Sequence, residues 1–251
     1  MQRRTLATAT LLAFAPLTQA LLIEGSFTGT INQSSDYTNE LGAGAGYNTV
    51  KDETVTGTFV IDTDLMPGDS DADSIYAEHF QPGNDDWFTF ELTTSFGHQW
   101  SSEIVSQRVD NATSDADYAG IQNGAGLDQI FLRDENSDRD TSDGDYEYAH
   151  FLLNIYSYTE DFLASDLLPE SFDLSDHTID YAFGTVRDYE YDYTTNTLVD
   201  NFAYNFSLDT LSWAPANTTS VPEPGSLALL SVGMLGLGYA RRRQQSEGTL
   251  R

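Results

Sequence analysis

The sequence predicts an all-β fold: an antiparallel β-sandwich, jelly-roll-like, with a cleaved N-terminal signal peptide and a short C-terminal transmembrane helix. Three observations predict it. Apolar residues recur with a period of two along most of the chain, as on half-buried strands. Turn-rich segments separate the alternating runs, and no convincing amphipathic helix interrupts them. The 14 phenylalanines, 14 tyrosines and three tryptophans supply apolar area for a core despite a formal net charge of −29. About 200 residues lie between the two ends, a length that one all-β domain reaches.

The chain opens with MQRRTLATATLLAFAPLTQA: Arg3 and Arg4, an apolar run from Leu6 to Leu17, and a small-residue site ending at Ala20. A spanning helix needs about 20 apolar residues, so residues 1–20 read as a signal peptide rather than an anchor. The β domain is expected over 21–213. Its first strand, 23–31, puts Ile23, Gly25, Phe27, Gly29 and Ile31 on one face. Residues 53–62 repeat this with Val55, Gly57, Phe59 and Ile61, and 86–93 with Phe88, Phe90 and Leu92. Further strands are expected at 103–109, 129–133, 148–158, 178–187 and 201–213, making eight or nine strands in two layers. Residues 183–193 and 198–208 read as a long hairpin around Thr194-Thr195-Asn196-Thr197, and 159–168 can make one or two helical turns.

The stretch 214–221 (APANTTSV) is small, polar and proline-containing, a linker. Residues 222–245 follow: Pro222 and Pro224, then an apolar or small run over 226–240, then Arg241, Arg242 and Arg243. At a rise of about 1.5 Å per residue that run reaches roughly 23 Å, short of the ~30 Å hydrocarbon core. A basic cluster beside an apolar helix stays on the cytoplasmic side. A polar tail, 246–251, ends the chain.

Val221-Pro222-Glu223-Pro224, an apolar run with Gly233, Gly236 and Gly238, and then Arg241-Arg242-Arg243 resembles the PEP-CTERM sorting signal. The resemblance implies recognition by exosortase, a membrane-embedded transpeptidase-like enzyme of Gram-negative bacteria. It implies a protein exported through the inner membrane, transiently held by its C-terminal helix and cut near Pro222 to Pro224. Delivery to the cell surface or extracellular matrix would follow, with signal peptidase as the other processing partner. The body also resembles a loose class of exported PEP-CTERM proteins through Phe27-Thr28-Gly29-Thr30-Ile31, Val55-Thr56-Gly57-Thr58-Phe59, Asp62-Thr63 and Leu168-Pro169. That class largely lacks assigned activities, so it supports the fold more than a function.

Removing both ends leaves Lys51, Arg108, Arg133, Arg139 and Arg187 against 39 acidic residues in 21–225, a net −34, since Glu247 is the only acid beyond Gly225. Such a chain is not a nucleic-acid binder, because phosphate contacts need lysine and arginine. It favours divalent cations, a saline medium or a basic partner. With no cysteine, an exported chain is held by its core or by bound ions rather than disulfides.

Two aspartate clusters are candidate Ca²⁺ ligands: Asp69, Asp71 and Asp73, and Asp134, Asn136, Asp138 and Asp145. Alternate carboxylates on a tight loop can supply the six to eight hard oxygens calcium takes. With Asp134 first, Arg139 falls where an EF-hand needs glycine, so irregular loop binding is the expectation. Solvated acidic loops are the plainer alternative. For carbohydrate, Trp87, Trp100 and Trp213 are candidate stacking residues, as are Tyr189, Tyr191 and Tyr193 in DYEYDY, which share one strand face. Burial of those tyrosines against a partner sheet fits the same alternation. His79, His98, His150 and His177 are isolated, and no G-x-S-x-G is present, so the chain is not expected to be an enzyme. The expected role is structural or adhesive, within an exopolysaccharide layer or biofilm. A calcium-dependent carbohydrate-binding module is the alternative, and a glycan-active enzyme the less favoured one.

Overall fold

The computed structural model describes residues 22–68, 76–82, 87–108, 114–124, 127–138, 144–165 and 167–216. The expected signal peptide, most of the linker and the C-terminal motif lie outside them. The described strands are β1 (Leu22–Asp36), β2 (Gly46–Tyr47), β3 (Thr54–Asp62), β4 (Tyr76–Pro82), β5 (Phe88–Thr94), β6 (Gln99–Ser101), β7 (Ser114–Gly124), β8 (Leu127–Asp138), β9 (Asp145–Ser157), β10 (Phe172–Asp173), β11 (Tyr181–Asp192) and β12 (Thr197–Pro215). One short helix, α1 (Ser102–Gln107), sits between β6 and β7. All described pairings are antiparallel, in the order β4-β7-β8-β9-β11-β12-β1-β3-β5-β6, with β2 against β1 and β10 against β12.

Alternation places the expected residues inward. Ile23, Phe27 and Ile31 of β1, Val55, Phe59 and Ile61 of β3, and Phe88, Phe90 and Leu92 of β5 are all buried. The hairpin of β11 and β12 forms as expected, turning through Tyr193 to Asn196 with Asn196 left-handed at φ 54°. Asp192 fixes the turn by accepting from the backbone N–H groups of Thr194 and Thr195.

Three expectations are corrected. Of the strand expected at 103–109, the described residues, 103–108, do not form one. The Ser101 side chain accepts from the Ile104 N–H, Glu103 lies in the first turn, and Val105 is buried, so the segment makes α1 instead. The helical turns considered for 159–168 do not form. Instead Asp180 accepts from the Tyr158 N–H and Asp128 from the Leu163 N–H, holding the segment as irregular chain. Strands β4 and β7 were not anticipated; β7 is rich in Asp, Ala and Gly and carries little apolar alternation.

Rings over glycines organise the sheet. Gly25 lies opposite Phe59 and Phe27 opposite Gly57, a reciprocal pair between β1 and β3. Gly184 faces Phe206 and Gly120 faces Phe131 in the same way. A Cβ at any of these glycines would fall 2.0–2.3 Å from a ring atom of its partner. The sheet then curls until distant parts of its inner face meet. Phe151 of β9 stacks on Phe90 of β5 with centroids 4.0 Å apart, although the two strands are five positions apart in the strand order. Phe27 stacks on both Phe151 and Phe206. Where two layers face each other they are parts of one curled sheet. Across the closure, the Phe88 N–H donates to the buried carboxylate of Asp117 on β7. Pro169, in the Leu-Pro segment, accepts from the Trp213 indole N–H at 2.8 Å.

Gly57→Ala and Gly184→Ala will each destabilise the protein by about 1–3 kcal/mol, because a ring must leave its place in a packed core. Gly68→Ala, where an added Cβ meets nothing within 4 Å, will stay within about 0.5 kcal/mol of wild type. Urea unfolding midpoints check all three.

Candidate functional site

The tyrosine strip faces outward. Val186 and Asp188 of β11 are buried, whereas Arg187 is exposed and Tyr189 and Tyr191 are half-buried on the opposite face. Tyr193 begins the hairpin turn and is 53% exposed. Of the two sequence readings, an open strip rather than a packed face is what forms. Its composition differs from expectation, however. A groove of about 540 Å³ is lined by Tyr146, Tyr148, Arg187, Tyr189 and Tyr193. Tyr191 does not line it; its hydroxyl donates to Asn196 Oδ1 and its ring packs edge-on against Tyr193.

Register brings in the residues that sequence reasoning missed. Tyr148 lies opposite Tyr189, Tyr146 opposite Tyr191, and His150 opposite Arg187. The signal was present: Asp145-Tyr146-Glu147-Tyr148 repeats Asp188-Tyr189-Glu190-Tyr191, and antiparallel pairing sets tyrosine against tyrosine. Tyr146 meets Tyr189 edge-on at 5.7 Å. The Arg187 guanidinium lies 5.9 Å from the Tyr148 ring centre, a cation–π distance. Arg133 of β8 donates to the Tyr148 hydroxyl at 2.7 Å and pairs with Glu135. At the groove's end the Tyr193 N–H donates to the Gly144 carbonyl. Gly144 has φ 112°, and a Cβ there would strike the Thr194 hydroxyl, so this close approach needs glycine.

The other carbohydrate candidates are corrected. Trp87, Trp100 and Trp213 are 0%, 1% and 3% exposed, core residues that cannot stack on a ligand. A larger cleft of about 750 Å³ includes Phe172, Asp173, Asp176, His177 and Trp213. There Phe172 is sandwiched between His177 and Trp213, and Asp173 is occupied accepting from the Ser175 N–H and hydroxyl. Those polar groups are spent on local structure, so the open tyrosine groove is the better binding candidate.

At its described candidate ligands the second acidic cluster is strand, not loop. Asp134, Asn136 and Asp138 lie on one face of β8, 5%, 2% and 1% exposed, and Asp145 begins β9. The strand continues through them because each pairs in register with β9, as Asp134 with Phe151 and Asn136 with Ala149. Asn136 also donates to the Ser106 carbonyl of α1. Asp69, Asp71 and Asp73 lie outside the described residues. Among the described residues, no group of three or more His, Asp or Glu is arranged to hold a metal ion.

A family model, the PEP-CTERM protein-sorting motif, matches residues 220–244. The chain carries a PEP-CTERM sorting motif. The match spans Val221, Pro222, Glu223, Pro224 and Arg241 to Arg243, and marks an exosortase-targeted exported protein sorted to the cell envelope. The matched residues lie outside the described ones; among the latter, no helix is long and apolar enough to cross a membrane. Comparison with curated proteins and with solved structures finds no match.

Behind the groove, the inner face of the sheet is charged. Arg108, at the end of α1, pairs with Asp188 at 3.1 Å and Asp200 at 2.9 Å. Burial pushes the Asp188 carboxyl up to about 7; Arg108 opposes this, and Asp200, Glu190 and Glu40 add to it. On the groove's own face, His150 is buried beside Tyr148 and lowered to about 3 by desolvation, with Arg133 and Arg187 acting in the same direction. It is therefore neutral at physiological pH. His98, beside Tyr204 and Trp100, is lowered to about 4, again mainly by burial.

Between pH 3.8 and about 7 the unfolded chain has lost the Asp188 proton and the folded chain keeps it. The contribution of this group to stability therefore falls as pH rises through that window. Asp188→Asn will gain on wild type between those two values, on the order of 1 kcal/mol for each pH unit crossed, and then run parallel to it. Urea unfolding at several pH values across this range checks the slope; parallel curves throughout would contradict a raised Asp188.

Proposed function

We propose that the mature protein is a structural or adhesive component of the cell surface or extracellular matrix that holds exopolysaccharide through the tyrosine groove. The observation that carries this reading is the groove itself: one exposed and three half-buried tyrosine rings around a cation on paired strands. Sugar rings stack on such aromatic faces, while phenol hydroxyls and guanidinium N–H groups bond to their oxygens. The rings sit on paired strands, so little ordering cost accompanies binding. The role is non-catalytic, and no metal is invoked.

The sorting motif supports the route. A signal peptide, residues 1–20, directs export. Residues 222–245 then hold the protein in the inner membrane of a Gram-negative cell until exosortase cuts near Pro222 to Pro224. The β domain over 21–213, its curled sheet packing as the layers of a jelly-roll-like sandwich, is released with its linker. Without signal peptide or tail the protein carries five basic and 39 acidic residues. That acidity suits a hydrated, saline matrix.

Mass spectrometry of the C-terminus, in hosts with and without exosortase, tests the route. An end near Pro224 only where exosortase is present is expected; an intact 226–251 tail in both hosts would refute processing. For binding, a polysaccharide array is expected to give a signal that Tyr189→Ala weakens by about 0.5–1.5 kcal/mol per site. Equal signal from variant and wild type would remove the groove from consideration.

A further inference from the structure

The face that carries the groove has a charge unlike the rest of the molecule. Along β7, β8, β9 and β11, carboxylates point inward: Asp117, Asp128, Asp134, Asp138, Glu147 and Asp188 are all buried. The outward positions are tyrosines, amides and other uncharged side chains, such as Tyr118, Gln129, Asn154 and Tyr156. Among the described outward side chains of these four strands, Glu135 is the only acid, and it is paired with Arg133. His150 is neutral there. One net positive charge is left, on Arg187.

Arg187 stands apart from the other described arginines. Arg108 pairs with Asp188 and Asp200, and Arg133 with Glu135, but no ion pair engages Arg187 among the described residues. It is exposed, lines the groove, and lies over the Tyr148 ring. A chain with 39 acids in its mature part has no shortage of carboxylates to neutralise an arginine. This one is kept clear of them by strand alternation.

We infer that the groove selects an acidic polysaccharide, with the carboxylate of a hexuronate residue on Arg187 and neighbouring sugar rings on Tyr146, Tyr189 and Tyr193. The inference rests on the reading of the groove as a glycan site. A guanidinium presents a planar pair of N–H donors that matches a carboxylate, and the cation–π contact with Tyr148 restrains the Arg187 head. The net negative charge of the protein does not forbid the encounter. At physiological salt the field of an exposed charge is screened within about 8 Å, so the local cation outweighs distant acids. Tyr146 to Tyr156 along β9 spans roughly 33 Å at about 3.3 Å per residue, room for several sugar units.

The test uses the protein purified from its host, at about 0.15 M salt, against four probes: polygalacturonate, its fully methyl-esterified form, dextran and dextran sulfate. Wild type is expected to bind polygalacturonate most tightly. Arg187→Gln should lose about tenfold or more of that affinity and a clearly smaller factor for the methyl ester, and Arg187→Lys should recover part of the loss. Tyr189→Ala should weaken both uronate probes. Equal binding of the ester and the acid, unaltered by Arg187→Gln, would overturn the charge selection and leave the glycan reading standing. Preference for dextran sulfate would overturn the carboxylate assignment. Failure to bind any probe would overturn both. Unfolding midpoints matching that of wild type confirm that the exposed Arg187 variants are folded.

Discussion

Four aromatic rings laid over four glycines fix this sheet. Each pair sits directly opposite in register, so the ring fills the space that a Cβ would need. The arrangement does two things at once. At Gly25, Gly57 and Gly184 it removes side-chain bulk that would resist strong curl on the concave face, the Gly120–Phe131 pair lying on the outward one, and at all four it pins the register. A slip of one residue would carry every side chain to the other face. It would also set Phe27 against a threonine and Phe59 against Glu24 or Ser26. The stacked rings of Phe27, Phe90, Phe151 and Phe206 can meet across the interior only because the strands bearing them are held at this curvature.

The same register settles the chemistry of the far half of the sheet. Gly184 under Phe206 fixes β11 against β12, and β11 in turn meets β9 residue for residue from Tyr181 to Asp192. Two D-Y-E-Y segments, far apart in the chain and neither informative alone, are thereby superposed tyrosine on tyrosine. Their carboxylates share the other face. There Arg108, delivered by the short helix after β6, pairs with two of the acids on that side, Asp188 and Asp200. The polar cluster inside and the aromatic groove outside are two faces of one alternation.

This explains which parts were legible in the sequence. Strands with strong apolar alternation, β1, β3, β5 and β12, were readable because one face is plainly core. The helix α1 was not, since Ile104 and Val105 alternate poorly and only the capping Ser101 and Glu103 distinguish it from a strand. The latter half of β8, Asp134 to Asp138, reads as an acidic loop because nothing local favours strand there; pairing with β9 imposes it. Tryptophans suggested sugar contacts by residue type, yet their size draws them into the core. The outward direction of Tyr189 was ambiguous from alternation alone. It was settled by Val186 and Gly184, which the closing ring of Phe206 requires to point inward.

Local charge matters more than the total here. A single field of the same sign over the surface would keep the protein soluble and apart from nucleic acid, but would select no ligand. Selectivity needs a place where the field departs from the mean. Strand alternation makes such a place with no change in composition, by sending alternate residues of acid-rich segments inward and leaving Arg187 alone among tyrosines. The cost appears in burial: Asp188 on the inner face is forced toward neutrality, and His150, covered on the groove's own face, is held uncharged. The strain of the buried acids and the openness of the groove therefore have one origin. Moving a carboxylate from the inner to the outer face would relieve the first and abolish the second.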